Sequence, residues 1–160
     1  MSRKFSIIPK FILILAVLFL YSCKKEEISV DISGEWELVS FSSGAVEESE
    51  IPVSVYLAFD KASASFTIFQ KLGEGHYGKF IGEYSCSGSR VRGQYSNGMS
   101  WACEYNAELE GNRLLMTSIG LSADETCVYA RCTIPSDVRK DADDYSTKAS
   151  SFHIIYSNIK

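Results

Sequence analysis

Few residues in this chain are arranged to do chemistry. Gly73-Glu74-Gly75-His76-Tyr77-Gly78 has the glycine spacing of a dinucleotide-binding loop. Such a loop works only where it opens a helix after a strand, so that the helix N-terminus meets the pyrophosphate. Here it lies between two strand-like runs with no helical pattern after it, and it reads as a hairpin loop. His76 and His153 are the only histidines, and neither has a second ligand at metal-binding spacing. No Gly-x-Ser-x-Gly elbow, His-Glu-x-x-His helix or carboxylate pair stands out. Glu104 and Glu108 alternate with apolar residues and read as a solvated face. The expectation is a non-catalytic protein without metal or cofactor. At the mouth of a barrel, His76 and Tyr77 would be the loop residues placed to touch a ligand.

The elements that carry these residues are strands. From Ile32 to Pro135 short runs alternate with turn residues, and no window shows sustained helical periodicity. The runs are 34–42, 53–60, 64–71, 79–87, 90–96, 100–109, 113–119 and 126–133. Val53, Val55, Leu57 and Phe59 share one face, as do Trp101, Cys103, Tyr105, Ala107 and Leu109. One dry and one wet face per strand suits a meander curled around its own core. Parity sets the hairpins. A two-residue turn at Gly88-Ser89 pairs 86 with 91 and 84 with 93, and Gly111-Asn112 pairs 109 with 114 and 107 with 116. At Asn97-Gly98-Met99 a three-residue turn pairs 95 with 101 and 93 with 103, with Gly98 supplying a positive φ. Eight antiparallel strands leave two edges unless the sheet closes, so the expected fold is all-β, an eight-stranded antiparallel up-and-down barrel. A two-sheet sandwich is the alternative.

The expected inner face carries Trp36, Leu38, Phe59, Phe66, Ile68, Phe80, Tyr84, Tyr95, Trp101, Tyr105, Leu109 and Met116. Such a lining suits a small apolar or aromatic ligand with a few polar handles, and Tyr84, Tyr95, Trp101, Tyr105, Phe66 and Phe80 are the candidate contacts. The same aromatics could instead fill the lumen. A cavity of about 300 Å³ or more would favour the ligand, a packed interior the rival. The register also bears on the cysteines. It sets Cys86 and Cys103 two strands apart, about 9.6 Å, beyond the roughly 6.8 Å limit between disulfide α-carbons. Cys127 and Cys132 have opposite parity on one strand. Four free, mostly buried thiols and no disulfide are expected.

The first residues are an address rather than part of the fold. Arg3, Lys4 and Lys10 precede Phe11–Tyr21, eleven apolar residues without a charge. Eleven is too short to span a bilayer, which needs about 20, and fits a secretory signal. Leu20-Tyr21-Ser22-Cys23 resembles a bacterial lipobox, which implies cleavage before Cys23 and acylation of that residue. Two or more acyl chains hold a protein stably on a membrane. Lys24-Lys25-Glu26-Glu27 resembles the charged signal that sends lipoproteins of Bacteroides-type bacteria to the cell surface, which implies an outer-membrane lipoprotein. Losing residues 1–22 removes three of the 16 basic groups and none of the 20 acidic ones, leaving 13 against 20 and a net charge of −7. An acidic body of this kind has no electrostatic footprint for nucleic acid, and its expected membrane contact runs through the acyl chains.

Gly34-Glu35-Trp36 resembles the Gly-x-Trp motif of lipocalins, and Arg131 resembles their late arginine, which implies that Trp36 and Arg131 close one end of the barrel. The segments Leu57–Asp60, Phe66–Lys71, Gly93–Gly98, Trp101 and Val128–Arg131 are similar to the lipocalin-like lipoproteins of Bacteroides-type bacteria. That resemblance covers residues 33–138, and it implies a fold more than a job. The expected organisation is a signal peptide over 1–22, a lipidated tether over 23–32, the barrel over 33–134 and a C-terminal appendage over 135–160. In the appendage, Ser136 is positioned to cap a short helix over 137–144, and 152–156 (FHIIY) is apolar enough to dock as an added strand.

Overall fold

The computed structural model describes residues 28–43, 53–121 and 125–145. The expected signal segment, Cys23, His153 and the 152–156 run lie outside the described residues. Eight strands follow one another: β1 (Gly34–Ser43), β2 (Val53–Asp60), β3 (Ser65–Leu72), β4 (Gly78–Ser87), β5 (Arg90–Tyr95), β6 (Glu104–Glu110), β7 (Arg113–Ile119) and β8 (Glu125–Arg131). Each pairs antiparallel with its sequence neighbour, and β1 pairs with β8 from Trp36↔Arg131 to Ser43↔Glu125. The sheet therefore closes into an eight-stranded barrel rather than a sandwich, which removes the exposed edges of an open sheet.

Two of the three hairpins follow the parity expectation. Cys86↔Val91 and Tyr84↔Gly93 pair across Gly88-Ser89, and Leu109↔Leu114 and Ala107↔Met116 pair across Gly111-Asn112. The third differs. The β5–β6 loop is Ser96-Asn97-Gly98, closed by Gly98 N–H donating to Tyr95 O at 2.8 Å and Tyr95 N–H to Met99 O at 2.7 Å. Gln94 then bridges Ser100, and Trp101 N–H donates to Gly93 O. The expected pairs 95–101 and 93–103 do not form, and β6 starts at Glu104 rather than Ser100. Between Ser100 and Glu104 the chain gains two residues over β5, and Val91↔Tyr105 and Arg90↔Asn106 then restore the expected register. At this irregularity the indole of Trp101 lies against the Cα of Gly93, in the space a side chain would otherwise take. An insertion of two preserves parity, so Trp101 and Tyr105 are both buried inside.

The core inside the barrel joins Ile32, Trp36, Leu57, Phe66, Ile68, Val91, Tyr105, Leu114, Met116, Cys127 and Tyr129, among others. Leu109, expected inside, sits at the barrel end and is exposed. The outer face of β2 and β3 is not wet throughout. Tyr56 and Phe69, paired across these strands, are buried under Ile134 and Val138. Ile134 follows the last strand and Val138 lies in the appendage, where α1 (Ser136–Asp141) is shorter than expected and has Pro135 as N-cap, with no capping bond from a side chain. Ile134 N–H donates to Glu35 Oε2 at 2.7 Å and Arg139 meets Glu35 at 2.6 Å, fixing the segment to the wall. A two-residue strand, β9 (Asp143–Asp144), runs parallel to β4 at Gly78 and Lys79. It occupies the stretch of β4 that β5 does not reach, since β5 pairing stops at Gly82↔Tyr95.

The strand directions define two ends. The turns Lys61–Ala64, Gly88-Ser89 and Gly111-Asn112 lie at the end where β1 begins and β8 finishes. The loop over 73–77 and the β5–β6 loop lie at the other, as do Gly120 and Leu121 after β7.

Candidate functional site

All six expected lining residues belong to the barrel core, five of them buried and Tyr84 half-buried. They pack against one another, and Tyr84, Trp101, Phe66 and Tyr95 also border two grooves that open through the wall to solvent. Ring centroids lie 5.0 Å apart for Phe66–Trp101, 5.6 Å for Phe66–Tyr95, 5.8 Å for Trp101–Tyr105 and 6.4 Å for Phe80–Tyr95. These are the tilted and edge-to-face contacts that aromatic rings adopt when packed. Tyr84 sits edge-on to Phe59 at 5.0 Å. Below this layer Trp36, Leu114, Cys127 and Tyr129 are 0% exposed and Met116 is 1%. A void large enough for a water-sized sphere would leave part of such surfaces uncovered, so the middle of the barrel is filled.

Burial dominates the electrostatics there. It pushes the hydroxyls of Tyr95, Tyr105 and Tyr129 and the thiol of Cys127 well above their ordinary pKa values, because the charged forms would lose water. Trp101 Nε1 is buried without a hydrogen-bond partner, and the buried Tyr129 Oη has only the weakly bonding thiol of Cys127 as a polar neighbour. Each has less than 1 Å² of open surface, so protein atoms wall them in. At the loop-bearing end Tyr145 stacks on Phe80 at 5.7 Å with the rings 20° apart. Its N–H donates to Lys79 O at 3.0 Å. The appendage thus puts a ring over the top of the aromatic layer, a contribution with no periodic signal in the sequence.

The mouth-loop pair separates. His76 is exposed in the loop. Tyr77 turns outward: its hydroxyl donates to Ser54 Oγ at 2.8 Å, its ring lies 6.0 Å from Tyr56, and Lys71 Nζ sits 5.2 Å over it. It belongs to the outer cluster under α1 rather than to the lumen.

Trp36 and Arg131 do meet. The guanidinium carbon lies 4.2 Å over the indole, Arg131 Nη2 donates to Ser33 O at 3.3 Å, and Trp36 Nε1 donates to Ile32 O at 2.9 Å. Gly34 explains the motif. Its φ is +122°, a strained value for any side chain, and a Cβ there would collide with the same guanidinium. The motif is therefore a packing device at the closed end.

Two shallow grooves of about 560 and 550 Å³ lie on the outer wall, sharing Glu83 and Gln94. The first runs past Ser85, Arg92, Ser100 and Glu104, and the second past Ser65, Thr67 and Ser96. Glu104 bridges Arg92 at 3.2 Å and Arg90 at 3.6 Å, so the arginine charge there is met by a carboxylate. Both grooves exceed the volume expected of a ligand cavity, but they open to solvent outside the barrel. Sequence parity marks Glu83, Ser85, Arg92, Gln94 and Glu104 as outward and Tyr84, Trp101, Phe66 and Tyr95 as inward, and it gives no sign that both sets border one concavity where Ser100–Cys103 leaves the ladder.

Cys86, Cys103, Cys127 and Cys132 are free thiols, and only Cys127 is fully buried, against the expectation for most of them. The other three are half-buried because they sit near strand ends, and burial still raises each thiol pKa. Among the described residues no group of three His, Cys, Asp or Glu could hold a metal, and no helix is long and apolar enough to cross a membrane. No family model, curated protein or solved structure matches the chain.

Proposed function

We propose that this protein is a lipid-anchored, lipocalin-like barrel with a filled interior, working without catalysis through its outer wall and loops as an accessory or interaction protein at the bacterial outer membrane. The observation that carries this reading is the covering of the inner face, where Trp36 at the closed end, Tyr129, Phe66 and Phe80 are all buried. A carrier of a drug-sized ligand keeps a cavity of roughly 300 Å³ or more. Here the side chains expected to line one are in contact with each other. The anchor rests on the lipobox-like Leu20–Cys23, and the Cys23→Ala variant is expected to leave the membrane fraction.

A second reading, a carrier of a small and largely apolar molecule, is favoured by Trp101 Nε1 and, more weakly, by Tyr129 Oη. A buried polar atom without a partner costs about 1–3 kcal/mol, which a hydrogen-bonding guest would offset. That guest needs Tyr145 and part of the aromatic layer to swing aside. Native mass spectrometry of the domain purified from its host separates the two. A bare mass is expected, and a reproducible adduct lost on denaturation would replace the first reading by the second.

A further inference from the structure

The course of residues 28–33 fixes where the chain enters the barrel. Ser29 Oγ donates to Cys86 O at 3.0 Å and Val30 N–H donates to Gly88 O at 2.8 Å, so this segment runs beside the overhanging end of β4. Cys86 Sγ contacts Val30 O at 3.6 Å. Asp31 is bonded to Lys61 at 2.8 Å, which ties it to the β2–β3 turn, and Ile32 is 1% exposed beneath Trp36. Ile28, 95% exposed, stands at the rim of the closed end. Four residues separate it from Cys23. Fully extended, that chain reaches about 18 Å at most, less than the length of the barrel.

Charge points the same way. The turns and strand tips of the closed end carry Asp31, Glu35, Asp60 and Glu110 against Lys61, Arg90, Arg113 and Arg131, which balance. The chain from Cys23 onward is strongly acidic, so its acid lies elsewhere. An acidic body near anionic headgroups is least repelled when its one non-acidic end is turned toward them.

We infer that the closed end, built from the 28–33 segment and the turns at Lys61–Ala64, Gly88-Ser89 and Gly111-Asn112, is the face docked on the lipid headgroups, and that the opposite loops are held away from the membrane. This rests on the acylation of Cys23. The open-end loop over 73–77, the β5–β6 loop and the upper parts of the two outer grooves are then the surfaces offered to a partner, while the Trp36–Arg131 end is shielded by the bilayer.

The test uses the full lipidated protein, isotopically labelled, in bilayer discs doped with nitroxide-headgroup lipid. Relaxation of backbone amides by the nitroxide falls with the sixth power of distance. The ends of β4 are separated along the barrel axis by about 20 Å. The amides of 61–64, 88–89 and 111–112 are expected to relax at least about tenfold faster than those of 73–77. Equal enhancement at the two ends, or stronger enhancement at 73–77, overturns the docking. Flotation with vesicles, wild type against Cys23→Ala, identifies which premise failed. If both float alike or neither floats, the anchor reading falls and the docking with it. If only wild type floats while the amide pattern is reversed, the anchor stands and the docking alone is wrong.

Discussion

Substitution of Gly93 by alanine tests the filled interior directly. A Cβ at Gly93 would stand 2.5 Å from Trp101 Cδ2 and Cζ2 and closer still to Cε2. Carbon atoms pack at about 3.5–4.0 Å, so the indole must retreat by about 1 Å or more. Phe66 at 5.0 Å and Tyr105 at 5.8 Å stand on its other sides. In a core without slack, such overpacking costs about 1–3 kcal/mol. In a barrel with an empty lumen the ring would move into the space, and the cost would be within about 0.5 kcal/mol, as for an ordinary surface change. Urea unfolding reads the difference as a fall in the midpoint at unchanged slope. Trp101→Leu alone leaves a cavity and is expected to cost about 2–4 kcal/mol. Because it removes the ring that the new methyl strikes, the double variant should be more stable than the sum of the two losses by about 1–2 kcal/mol. A nearly neutral Gly93→Ala, or strict additivity with Trp101→Leu, would refute the claim that this ring is held tightly between Gly93, Phe66 and Tyr105.

Further outcomes follow from other contacts. Arg131→Ala loses the stack on Trp36 and the bond to Ser33 O and should destabilise the barrel by about 1–2 kcal/mol in thermal or urea unfolding. Arg131→Lys should recover less than half of that, because an ammonium cannot lie flat over the indole. Burial raises the pKa of Tyr95, Tyr105 and Tyr129. The unfolded chain ionises these groups near pH 10 and the folded one does not, so stability is complete below about pH 10 and falls as pH rises beyond it. Absorbance of tyrosinate should show these three ionising only together with loss of the fold; free titration near pH 10 would contradict it. Among the thiols, Cys127 should react with an aromatic disulfide reagent only at the rate of unfolding, while Cys86, Cys103 and Cys132 react slowly in the native state.

Much of this architecture was legible in the order of residue types. Alternation on 53–59 and 101–109, with glycine-bearing turns at 88 and 111, is enough to derive eight strands, their registers and a reason to close the sheet. Parity survives even where the hairpin geometry was misjudged, because the excess between Ser100 and Glu104 is an even number of residues. The closure by Trp36 and Arg131 was legible only through the resemblance to lipocalins, since nothing in local periodicity joins two residues so far apart in the chain.

Periodicity could say which side chains face inward, and it could not say whether they meet. Whether a ring of aromatics encloses a cavity or fills it depends on barrel radius, strand tilt and the reach of each side chain across the axis, all of which are properties of the closed sheet. The same holds for Tyr77, whose loop position suggested the mouth and whose contacts with Ser54 and Tyr56 of β2 hold it on the outer wall. It holds also for the segment after β8, where Ile134, Val138 and Tyr145 look unremarkable in sequence until β2, β3 and β4 provide the surfaces they cover. Composition and alternation determine a strand's faces because they act within a few residues. What fills the barrel and what covers its wall is decided by contacts between residues far apart in the chain, which exist only once the barrel has closed.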